Sequence, residues 1–327
     1  MNVLLTGGAG YIGSHTSFSL IDEGHKVTII DNLINGNKKL VPRKVELCEF
    51  DISDTAKVSQ LIKKNNFDII IHFAAFTRVA ESVKNPEKYL NNNFEKSKIF
   101  IDTCIDNGIH HIIFSSTGAV YGNSKSNIIK ETDNTDPLNP YSESKLKFEK
   151  YLHSLNTKKK ISSYILRYFN VSGADEKLRS GLITNPDNLI KAVCEVATNK
   201  RDKLIINGND YETKDGTAVR DFIHVTDLAQ MHVIAAKKLL ETSDNSFEIF
   251  NCGYGDGYSV NEVVSEMKKI VNKKFLIEYG PRRAGDAECS IANVEKFKKF
   301  FSWSPKFNNL NLILKSSLKW EDHWKST

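Results

Sequence analysis

The sequence predicts an α/β protein built on a doubly wound parallel sheet of the Rossmann type, with a smaller, interleaved C-terminal lobe. Three observations carry this prediction. Short, almost continuously apolar segments alternate with segments of helical spacing up to about residue 170. A glycine-rich turn follows the first apolar segment, and the alternation loosens over residues 172–217. Apolar strands that alternate with helices are typical of a parallel sheet covered on both faces.

Each predicted element follows from its local pattern. Apolar runs predict strands at Asn2–Thr6, Val27–Asp31, Val45–Phe50, Asp68–His72, Ile112–Ser115 and Ser162–Arg167. Helical spacing predicts helices from about Tyr11 to Glu23, Ser53 to Lys64, Tyr89 to Asn107, Ser142 to Leu155 and, in the less regular part, Asn188 to Thr198. Gly24 is expected to end the first helix, because glycine readily adopts the left-handed conformation there.

The length of 327 residues exceeds the roughly 250–300 at which a single core stops growing. We therefore predict two lobes. The first comprises residues 1–171 plus about 218–252, and the second about 172–217 plus 253–327.

Composition excludes several classes of protein. A net charge of +5 is small for this length and gives no indication of a nucleic-acid or membrane partner. The five cysteines lie far apart without a CxxC pair, so we expect no metal site, no disulfide framework and a cytoplasmic protein. No apolar run reaches the roughly 18 residues of a membrane helix, and a first strand at Asn2 predicts no signal peptide.

The turn after the first strand predicts a dinucleotide site. Gly7, Gly10 and Gly13 give the pattern GxxGxxG, and Gly8 completes GxGxxG. The pattern follows a strand and opens a helix, where the backbone can approach a pyrophosphate and unpaired N–H groups face its charge. The first lobe is therefore the predicted NAD-binding domain.

Two carboxylates set the expected cofactor. Asp31 ends the second strand, near the offset of about 20 residues expected for a ribose-binding carboxylate. It would bind the adenosine hydroxyls and repel a 2′-phosphate, which favours NAD over NADP. Asp51, after the third strand, is expected beside the adenine.

Two copies of Tyr-x-x-x-Lys differ in their setting. Tyr121 and Lys125 flank a turn-forming run, whereas Tyr141 and Lys145 follow Pro140 in a strong helical stretch. There, an offset of four residues puts both side chains on one face. A nearby ammonium and the positive charge of oxidised nicotinamide would favour the phenolate of Tyr141, which could then take a proton from a substrate hydroxyl.

A hydroxyl should orient the substrate beside that phenol. Ser115, Ser116 and Thr117 follow an apolar strand at the carboxyl end, where such sheets bind ligands. Thr117 is the preferred candidate and Ser116 the second.

These motifs together resemble the extended short-chain dehydrogenase/reductase family. The segments that carry the resemblance are Thr6–His15, Asp31–Leu33, His72–Ala75, Phe114–Thr117, Tyr141-x-x-x-Lys145 and Arg167–Asn170. Further runs resemble the UDP-hexose 4-epimerase branch of that family, namely Asn207–Tyr211, Asp215–Thr217, Val219–Val225 and Pro281–Asp286. The resemblance covers essentially the whole chain.

The resemblance implies a set of ligand contacts. Besides the glycines, NAD would contact Tyr11, Ile12, Asp31, Asn32, Leu33, Ile34, Asn35, Gly36, Asp51, Ile52, Phe73, Ala74, Ala75, Asn93, Tyr141, Lys145 and Phe169. In the second lobe and beside the catalytic residues, a UDP-sugar would contact Thr117, Asn170, Asn188, Leu189, Arg220, Arg283 and Asp286. Guanidinium groups suit a diphosphate by charge and by shape. A homodimer formed by two helices of the first lobe is also implied.

Four positions depart from the pattern of that branch. Thr77 stands where many members have Lys, Asn207 where an aromatic often packs on uracil, and Phe222 where Tyr is commoner. Ser290 replaces a bulky Tyr that in some members crowds the C2 substituent of the sugar. This small residue predicts that N-acetylhexosamine substrates are also accepted.

The implied reaction inverts the 4-hydroxyl of a UDP-hexose through a transient 4-keto sugar. The alternatives are another NAD-dependent nucleotide-sugar epimerase, a decarboxylase or a dehydratase of the same family, and a non-catalytic NAD sensor. Gly118 and Ala119 argue against dehydration, because dehydratases carry an Asp-Glu pair after the Thr. The intact Tyr141, Lys145 and Thr117 set argues against the sensor.

Overall fold

The chain forms two compact units, each assembled from separate stretches of sequence. The structure is a computed structural model that describes residues 1–124, 126–158, 160–184, 187–242, 245–283 and 286–325, the last without its side chain. The first unit comprises Met1–Val120, Asn139–Arg167 and Ala229–Phe250. The second comprises Tyr121–Leu138, Tyr168–Leu228 and Asn251–Thr327.

The described residues form the following strands and helices. The strands are β1 Asn2–Thr6, β2 Lys26–Ile30, β3 Glu46–Cys48, β4 Ile69–His72, β5 His111–Thr117, β6 Ile128–Ile129, β7 Ser162–Tyr168, β8 Asn170–Ser172, β9 Lys203–Asn207, β10 Val219–Arg220, β11 Phe222–His224, β12 Phe247–Cys252, β13 Tyr258–Ser259, β14 Leu276–Gly280 and β15 Cys289–Ala292. The α-helices are α1 Tyr11–Asp22, α2 Thr55–Lys64, α3 Val79–Lys84, α4 Pro86–Leu90, α5 Lys96–Asp106, α6 Pro140–Thr157, α7 Leu189–Ala197, α8 Val225–Glu241, α9 Val260–Val271, α10 Glu295–Phe301 and α11 Leu310–Lys325.

The main sheet confirms the predicted fold class. Its strands lie in the order β12-β7-β5-β4-β1-β2-β3, and β1, β2, β3, β4 and β5 pair in parallel. The strand order therefore reverses between β1 and β4. In open α/β sheets, ligands bind at the carboxyl ends of the strands beside such a reversal. The glycine-rich turn follows β1, which places it there.

The side chains of the strands point alternately to the two faces of this sheet, so the core of the first unit lies on both faces. Leu4, Ile70 and Ile112 are in register and belong to one cluster with apolar residues of α2, α5 and α6. Their neighbours Leu5 and Ile71 are also fully buried, and successive side chains point to opposite faces. Burial on both faces explains why these strands are apolar throughout.

The second unit contains small sheets whose strands are distant in sequence. A four-stranded sheet has the order β13-β10-β15-β6, while β8 pairs with β11 and β9 with β14, both in parallel. The domain limits differ from the sequence prediction, which assigns 121–138 and 218–228 to the first lobe. Ile128–Ile129 pairs with β15, and Val219–Arg220 pairs with β13 and β15, so both stretches belong to the second unit.

The helix predicted from Tyr89 to Asn107 is continued by a π-helical segment, Asn91–Glu95, between α4 and α5. Helix α1 ends as predicted, with Gly24 in the left-handed region at φ +80°. Gly24 N–H donates to Ile21 O and His25 N–H to Leu20 O, the pattern of a Schellman motif. Among the described residues, no helix combines the length and the hydropathy that spanning a bilayer requires.

Candidate active site

The turn between β1 and α1 is shaped by glycines that have no room for a side chain. A Cβ at Gly13 would lie 2.3 Å from Gly7 O, and one at Gly7 would lie 2.7 Å from Ala74 N. Gly7 also has a φ of +70°, which favours glycine. Gly10 caps α1 without a side chain, and the first turn carries no acidic residue. The exposed end of the helix dipole therefore suits an anion such as a pyrophosphate.

Asp31 fixes the loop opposite this turn. Its carboxylate accepts hydrogen bonds from Ala9 N–H at 3.0 Å and from Leu33 N–H at 2.8 Å. Burial raises the pKa of Asp31, and these two bonds act against that rise. Leu33 has a φ of +59°, and a Cβ on Gly36 would lie 2.7 Å from Asp31 Oδ1. The loop is thus folded closely over Asp31, while Asn35 is exposed.

Asp51 is held by a cation that the sequence did not reveal. Lys96 Nζ donates to Asp51 Oδ2 at 2.7 Å, Asn32 Nδ2 donates to the same oxygen, and Ser53 donates to Oδ1. Burial acts to raise the pKa of Asp51, but these hydrogen bonds lower it to about 2. Asp51 is therefore ionised at neutral pH, and the next residue, Ile52, is buried.

A buried histidine supports the segment Phe73–Ala75. His72 Nδ1 lies 2.7 Å from Thr6 Oγ1 and Nε2 lies 2.9 Å from Ser97 Oγ. Burial, with the neighbouring Lys145, lowers the pKa of His72 to about 3, so the ring is neutral. Thr6 Oγ1 also accepts a hydrogen bond from Ala74 N–H. His72 therefore has a structural role, since it supports the segment that contains the predicted cofactor contacts Phe73, Ala74 and Ala75.

Asn93 lies in the π-helical segment and joins three parts of the first unit. Its Oδ1 accepts from Phe76 N–H at 2.8 Å, and its Nδ2 donates to Phe76 O and to Ser144 Oγ on α6. π-Helical turns often occur at functional sites. Asn93 thus fixes the loop after β4 relative to the helix that carries Tyr141.

Tyr141 and Thr117 are brought together in the first unit. Helix α6 begins at Pro140, with Asn139 as its cap, so Tyr141 lies in the first turn. The phenol of Tyr141 interacts with the side chain of Thr117, the last residue of β5. Burial raises the pKa of Tyr141 to about 12, although the interaction with Thr117 acts to lower it. The two predicted groups are therefore close together in the first unit, and their catalytic roles stay predictions.

Lys145 follows Tyr141 by one helical turn and is buried. Its Nζ donates to Ser115 O at 2.8 Å and lies 4.9 Å from the ring centre of Phe114. Burial lowers the pKa of Lys145 to about 7, while Glu149 acts to raise it. The causes of the Tyr141 pKa shift are burial and Thr117, so the expectation that Lys145 and oxidised nicotinamide together favour the phenolate stays a prediction. Within the protein's own groups the phenol is made less acidic by burial, and the ammonium is directed to a backbone carbonyl.

Ser116 is directed away from Tyr141. It is fully buried and donates to the carboxylate of Glu149, which also binds Arg167. Thr117 is therefore the residue that can orient a substrate hydroxyl. In the other Tyr-x-x-x-Lys copy, Tyr121 donates to Asn251 Oδ1 at 2.7 Å, and Lys125 lies outside the described residues.

In the second unit, Arg220 and Asp286 form an ion pair. Arg220 Nη2 donates to Asp286 Oδ1 and to Ala287 O, and Nη1 donates to Val219 O and Glu288 O. The Arg220 side chain is 12% exposed. Ser290 is in parallel register with Arg220, which brings this predicted contact to the same sheet.

Asn207 positions the second predicted arginine. With its amide oxygen directed at Arg283, Asn207 accepts hydrogen bonds from Nε at 3.0 Å and Nη2 at 3.1 Å. Arg283 Nη1 also donates to Asp187 O, next to Asn188. Asn188 caps α7 by accepting from Lys191 N–H at 3.0 Å, so that Leu189 is the first helical residue.

Asn170 and Phe222 are adjacent in the parallel pair β8·β11. Phe222 is buried, as is Phe169, the residue before β8. Between Arg220 and Phe222, the buried carboxylate of Asp221 accepts backbone hydrogen bonds from Tyr254, Gly255 and Ala292. Burial raises the pKa of Asp221 to about 6. This role of Asp221 cannot be predicted from the sequence, because its partners lie 33 to 71 residues away.

Within the ranges that the structure describes, no cluster of His, Cys, Asp or Glu could hold a metal ion. The five cysteines are free thiols.

The Rossmann topology, the glycine turn at the strand reversal and the Tyr-x-x-x-Lys helix define a family of NAD-binding enzymes. The chain belongs to the NAD dependent epimerase/dehydratase family, whose family model matches residues 3–253. The family resemblance stated from the motifs is thus confirmed.

Within this family the chain is similar to UDP-glucose 4-epimerases. That of Lacticaseibacillus casei is 39% identical over 324 residues, which cover 99% of this chain and 97% of the relative. The structure of the enzyme from Stenotrophomonas maltophila, with bound NAD and formylated UDP-arabinopyranose, matches 100% of this chain and 99% of its own, with a TM-score of 0.96 and 33% identity. The UDP-Glc/GlcNAc 4-epimerase from Campylobacter jejuni is 42% identical, with a TM-score of 0.85 and 98% and 99% of the two chains covered.

Proposed function

We propose that this protein is a UDP-glucose 4-epimerase, an isomerase that interconverts UDP-glucose and UDP-galactose through a transient 4-keto sugar with tightly bound NAD. The observation that carries the proposal is the buried Tyr141 phenol beside Thr117, one helical turn from the buried Lys145, in the unit that also contains the glycine turn. The similarity to epimerases over nearly the whole chain supports the same activity.

The residues of the first unit fit NAD. The glycine turn and the N-terminus of α1 would hold the pyrophosphate, and Asp31 would hold the adenosine ribose. Bound NAD supplies an acceptor for the hydride at C4 of the sugar and the donor that returns it.

The catalytic side chains then transfer the proton of the sugar 4-hydroxyl. Thr117 positions the 4-hydroxyl of the sugar, and Tyr141 takes its proton and later returns it to the inverted product. Lys145 would bind the nicotinamide ribose through its ammonium. The Tyr141 pKa of about 12 must fall for this step, and the positive charge of oxidised nicotinamide acts in that direction.

The residues of the second unit would hold the UDP portion. Arg220 and Arg283 offer guanidinium groups to the diphosphate, and Asp286 offers a carboxylate to ribose hydroxyls. Binding energy from UDP, which does not react, would retain the keto sugar while the hexose turns.

The direct test is to incubate the purified protein with UDP-galactose and to measure UDP-glucose by chromatography. We expect conversion without added reductant, and NAD released on denaturation of the protein. Protein that retains NAD and yet leaves UDP-galactose unchanged would overturn the proposed activity.

A second candidate substrate is UDP-N-acetylglucosamine. Ser290 is small, only partly buried and adjacent to Arg220, and the Campylobacter jejuni relative is named for both UDP-Glc and UDP-GlcNAc. Epimerisation of both sugars should be compared in the wild type and in Ser290→Tyr. We expect the N-acetyl activity to be lost selectively in the variant, and its absence in the wild type would refute this substrate.

We also propose a cytoplasmic homodimer formed through α5 and α6. Ile99 on α5 is 41% exposed, and the neighbouring Tyr151 on α6 is only partly buried beneath Lys98. Light scattering should show a dimer that Ile99→Glu converts to a monomer. Leu312→Glu, at a comparably exposed position on α11, is the control that should remain dimeric.

A further inference from the structure

A buried ion pair lies behind the catalytic residues of the first unit. Glu149 on α6 and Arg167 on β7 have side chains that are 3% and 4% exposed. Arg167 Nε donates to the two carboxylate oxygens at 3.0 and 3.2 Å, and Nη2 donates as well. Burying two charges is costly even when they are paired, and apolar side chains of similar volume often stabilise a protein as well or better. The pair therefore suggests a role beyond stability.

The hydrogen bonds of Glu149 connect it to both catalytic side chains. Ser116 Oγ donates to Glu149. The residues on either side of Ser116 contact the proposed catalytic groups, since Ser115 O accepts a hydrogen bond from Lys145 and the side chain of Thr117 interacts with the phenol of Tyr141. Glu149 thus holds the middle of a tripeptide whose two ends contact Lys145 and Tyr141.

Helical spacing places Glu149 on the same face of α6 as Tyr141 and Lys145. Tyr141, Lys145 and Glu149 follow each other at intervals of four, which places them along one face of α6. Any rotation or shift of α6 against β5 would change the contacts of all three together. The bond from Ser116 and the bond from Arg167 resist such a shift from two neighbouring strands.

The charge of Glu149 also acts on Lys145. The titratable groups around Lys145 are Tyr141 and Glu149 on its own helix, His72 on β4 and, behind Glu149, Arg167 on β7. His72 is neutral, and burial lowers the pKa of Lys145 to about 7. Glu149 is the group that acts to raise it again.

We propose that Glu149 is a positioning residue that holds α6 against β5 through Ser116 and provides the negative charge that keeps Lys145 an ammonium. Arg167 orients Glu149 toward Ser116. The importance of this arrangement for turnover rests on the proposed function, whereas the charge state of Lys145 does not.

The test replaces Glu149 by its neutral isostere, Glu149→Gln, with Glu143→Gln as the matched control. Glu143 is on the same helix but pairs with Lys147 at the surface. The pKa of Lys145 is measured by NMR on protein labelled with ¹³C-lysine and assigned with Lys145→Arg. An unperturbed lysine titrates at about 10.4, so the resonance of Lys145 should be resolved from the others.

We expect the pKa of Lys145 to fall by about one pH unit in Glu149→Gln and to stay unchanged in Glu143→Gln. Because Lys145 is charged below its pKa, the alkaline limb of the kcat profile should move to lower pH by the same amount. An unchanged pKa of Lys145 in a folded Glu149→Gln protein overturns the proposal. A wild type without epimerase activity would overturn the proposed function instead. The NMR measurement would still decide whether Glu149 sets the charge state of Lys145.

Glu149→Gln leaves Arg167 without its counter-ion, which can unfold a protein. Two further variants avoid that outcome. Glu149→Gln/Arg167→Gln removes both charges and should show a smaller fall in the pKa of Lys145, because the loss of the more distant Arg167 cation partly offsets the loss of the Glu149 carboxylate. Ser116→Ala keeps both charges and should lower kcat several-fold with KM unchanged, while Lys145 keeps its pKa. A kcat equal to that of the wild type in Ser116→Ala would contradict the positioning role.

Discussion

Two features of its surroundings act on the pKa of the Tyr141 hydroxyl in opposite directions. Burial in the core raises the pKa to about 12, and the interaction with the side chain of Thr117 acts to lower it. Such a phenol is a weak acid until a positive charge approaches it. The resting protein therefore keeps its base protonated, and the proton transfer depends on what binds beside it.

Tyr141→Phe tests this role of the phenol. Phenylalanine fills the same buried position in contact with Phe76 and Tyr89, so folding should be preserved. We expect kcat for UDP-galactose to fall at least about 10²-fold, the range typical of losing a general base. The Kd for UDP, measured by calorimetry, should be unchanged, since the proposed UDP contacts lie in the second unit. Undiminished turnover in this variant would exclude Tyr141 as the base.

The proposed catalytic residues can be recognised in the sequence because their pattern is local. Tyr141 and Lys145 are four residues apart on a helix, and Thr117 directly follows an apolar strand. Glu149 and Lys96 were missed, because Glu149 acts through residues 18 and 33 positions away and Lys96 through one 45 positions away. No spacing in the sequence indicates such contacts.

At the scale of elements, the turn between β1 and α1 requires glycines because neighbouring backbone atoms leave no room for a Cβ, as well as for their backbone conformation. Gly13→Ala would bring a methyl group to 2.3 Å from Gly7 O, and a backbone atom cannot move aside cheaply. We expect the NAD content of the purified protein to fall at least about tenfold. The matched control is Gly24→Ala. Gly24, unlike Gly13, has a positive φ, but nothing lies within 4 Å of its added Cβ, so this variant should retain NAD at a cost of about 1 kcal/mol.

Asp221 connects the strands of the second unit through backbone hydrogen bonds. Its carboxylate joins the loop after β12, at Tyr254 and Gly255, to Ala292 at the end of β15. These contacts fix the sheet that carries Arg220 and Ser290. Because burial raises the pKa of Asp221 to about 6, its ionisation opposes folding at neutral pH.

This shift has a definite sign in the pH dependence of stability. The folded pKa lies above the unfolded value of about 3.9, so the folded state binds more protons between about pH 4 and pH 6. The contribution of Asp221 is therefore fully present below pH 4 and is lost as the pH rises through 6, by up to about 3 kcal/mol. Urea unfolding of the wild type and of Asp221→Asn should show this as a difference in stability that favours the wild type increasingly from pH 7 to pH 5. A difference independent of pH would contradict the assignment.

Six strands of the main sheet were predicted closely, whereas its edge strand β12 and the small sheets of the second unit were not predicted. Buried parallel strands such as β1 and β4 are apolar over their whole length, and this gives a strong local signal. Strands such as β6 and β10 contain two residues each and form through partners that are distant in sequence. The π-helical segment Asn91–Glu95 was also missed, because a change in helical hydrogen bonding leaves no mark in apolar spacing.

At the scale of the whole molecule, neither unit is a continuous stretch of chain. The chain passes from one unit to the other at residues 120, 138, 167, 228 and 250. Neither unit can therefore be completed before most of the sequence has been used. We infer that the two units unfold in one cooperative transition.

The positions of the tryptophans allow cooperative unfolding to be tested by adding NAD. Trp303, Trp320 and Trp324 all lie in the second unit, whereas the glycine turn and Asp31 lie in the first. Free NAD at 100 times its Kd should stabilise the NAD-free protein by about 2.7 kcal/mol, which raises the Tm by roughly 5 °C. In a cooperative protein, tryptophan fluorescence must show the same rise as circular dichroism, although NAD is bound through the other unit. The Gly13→Ala variant should show a smaller rise, again equal with the two probes. A rise seen by circular dichroism alone would mean that the units melt separately, and the threaded chain would then not couple them.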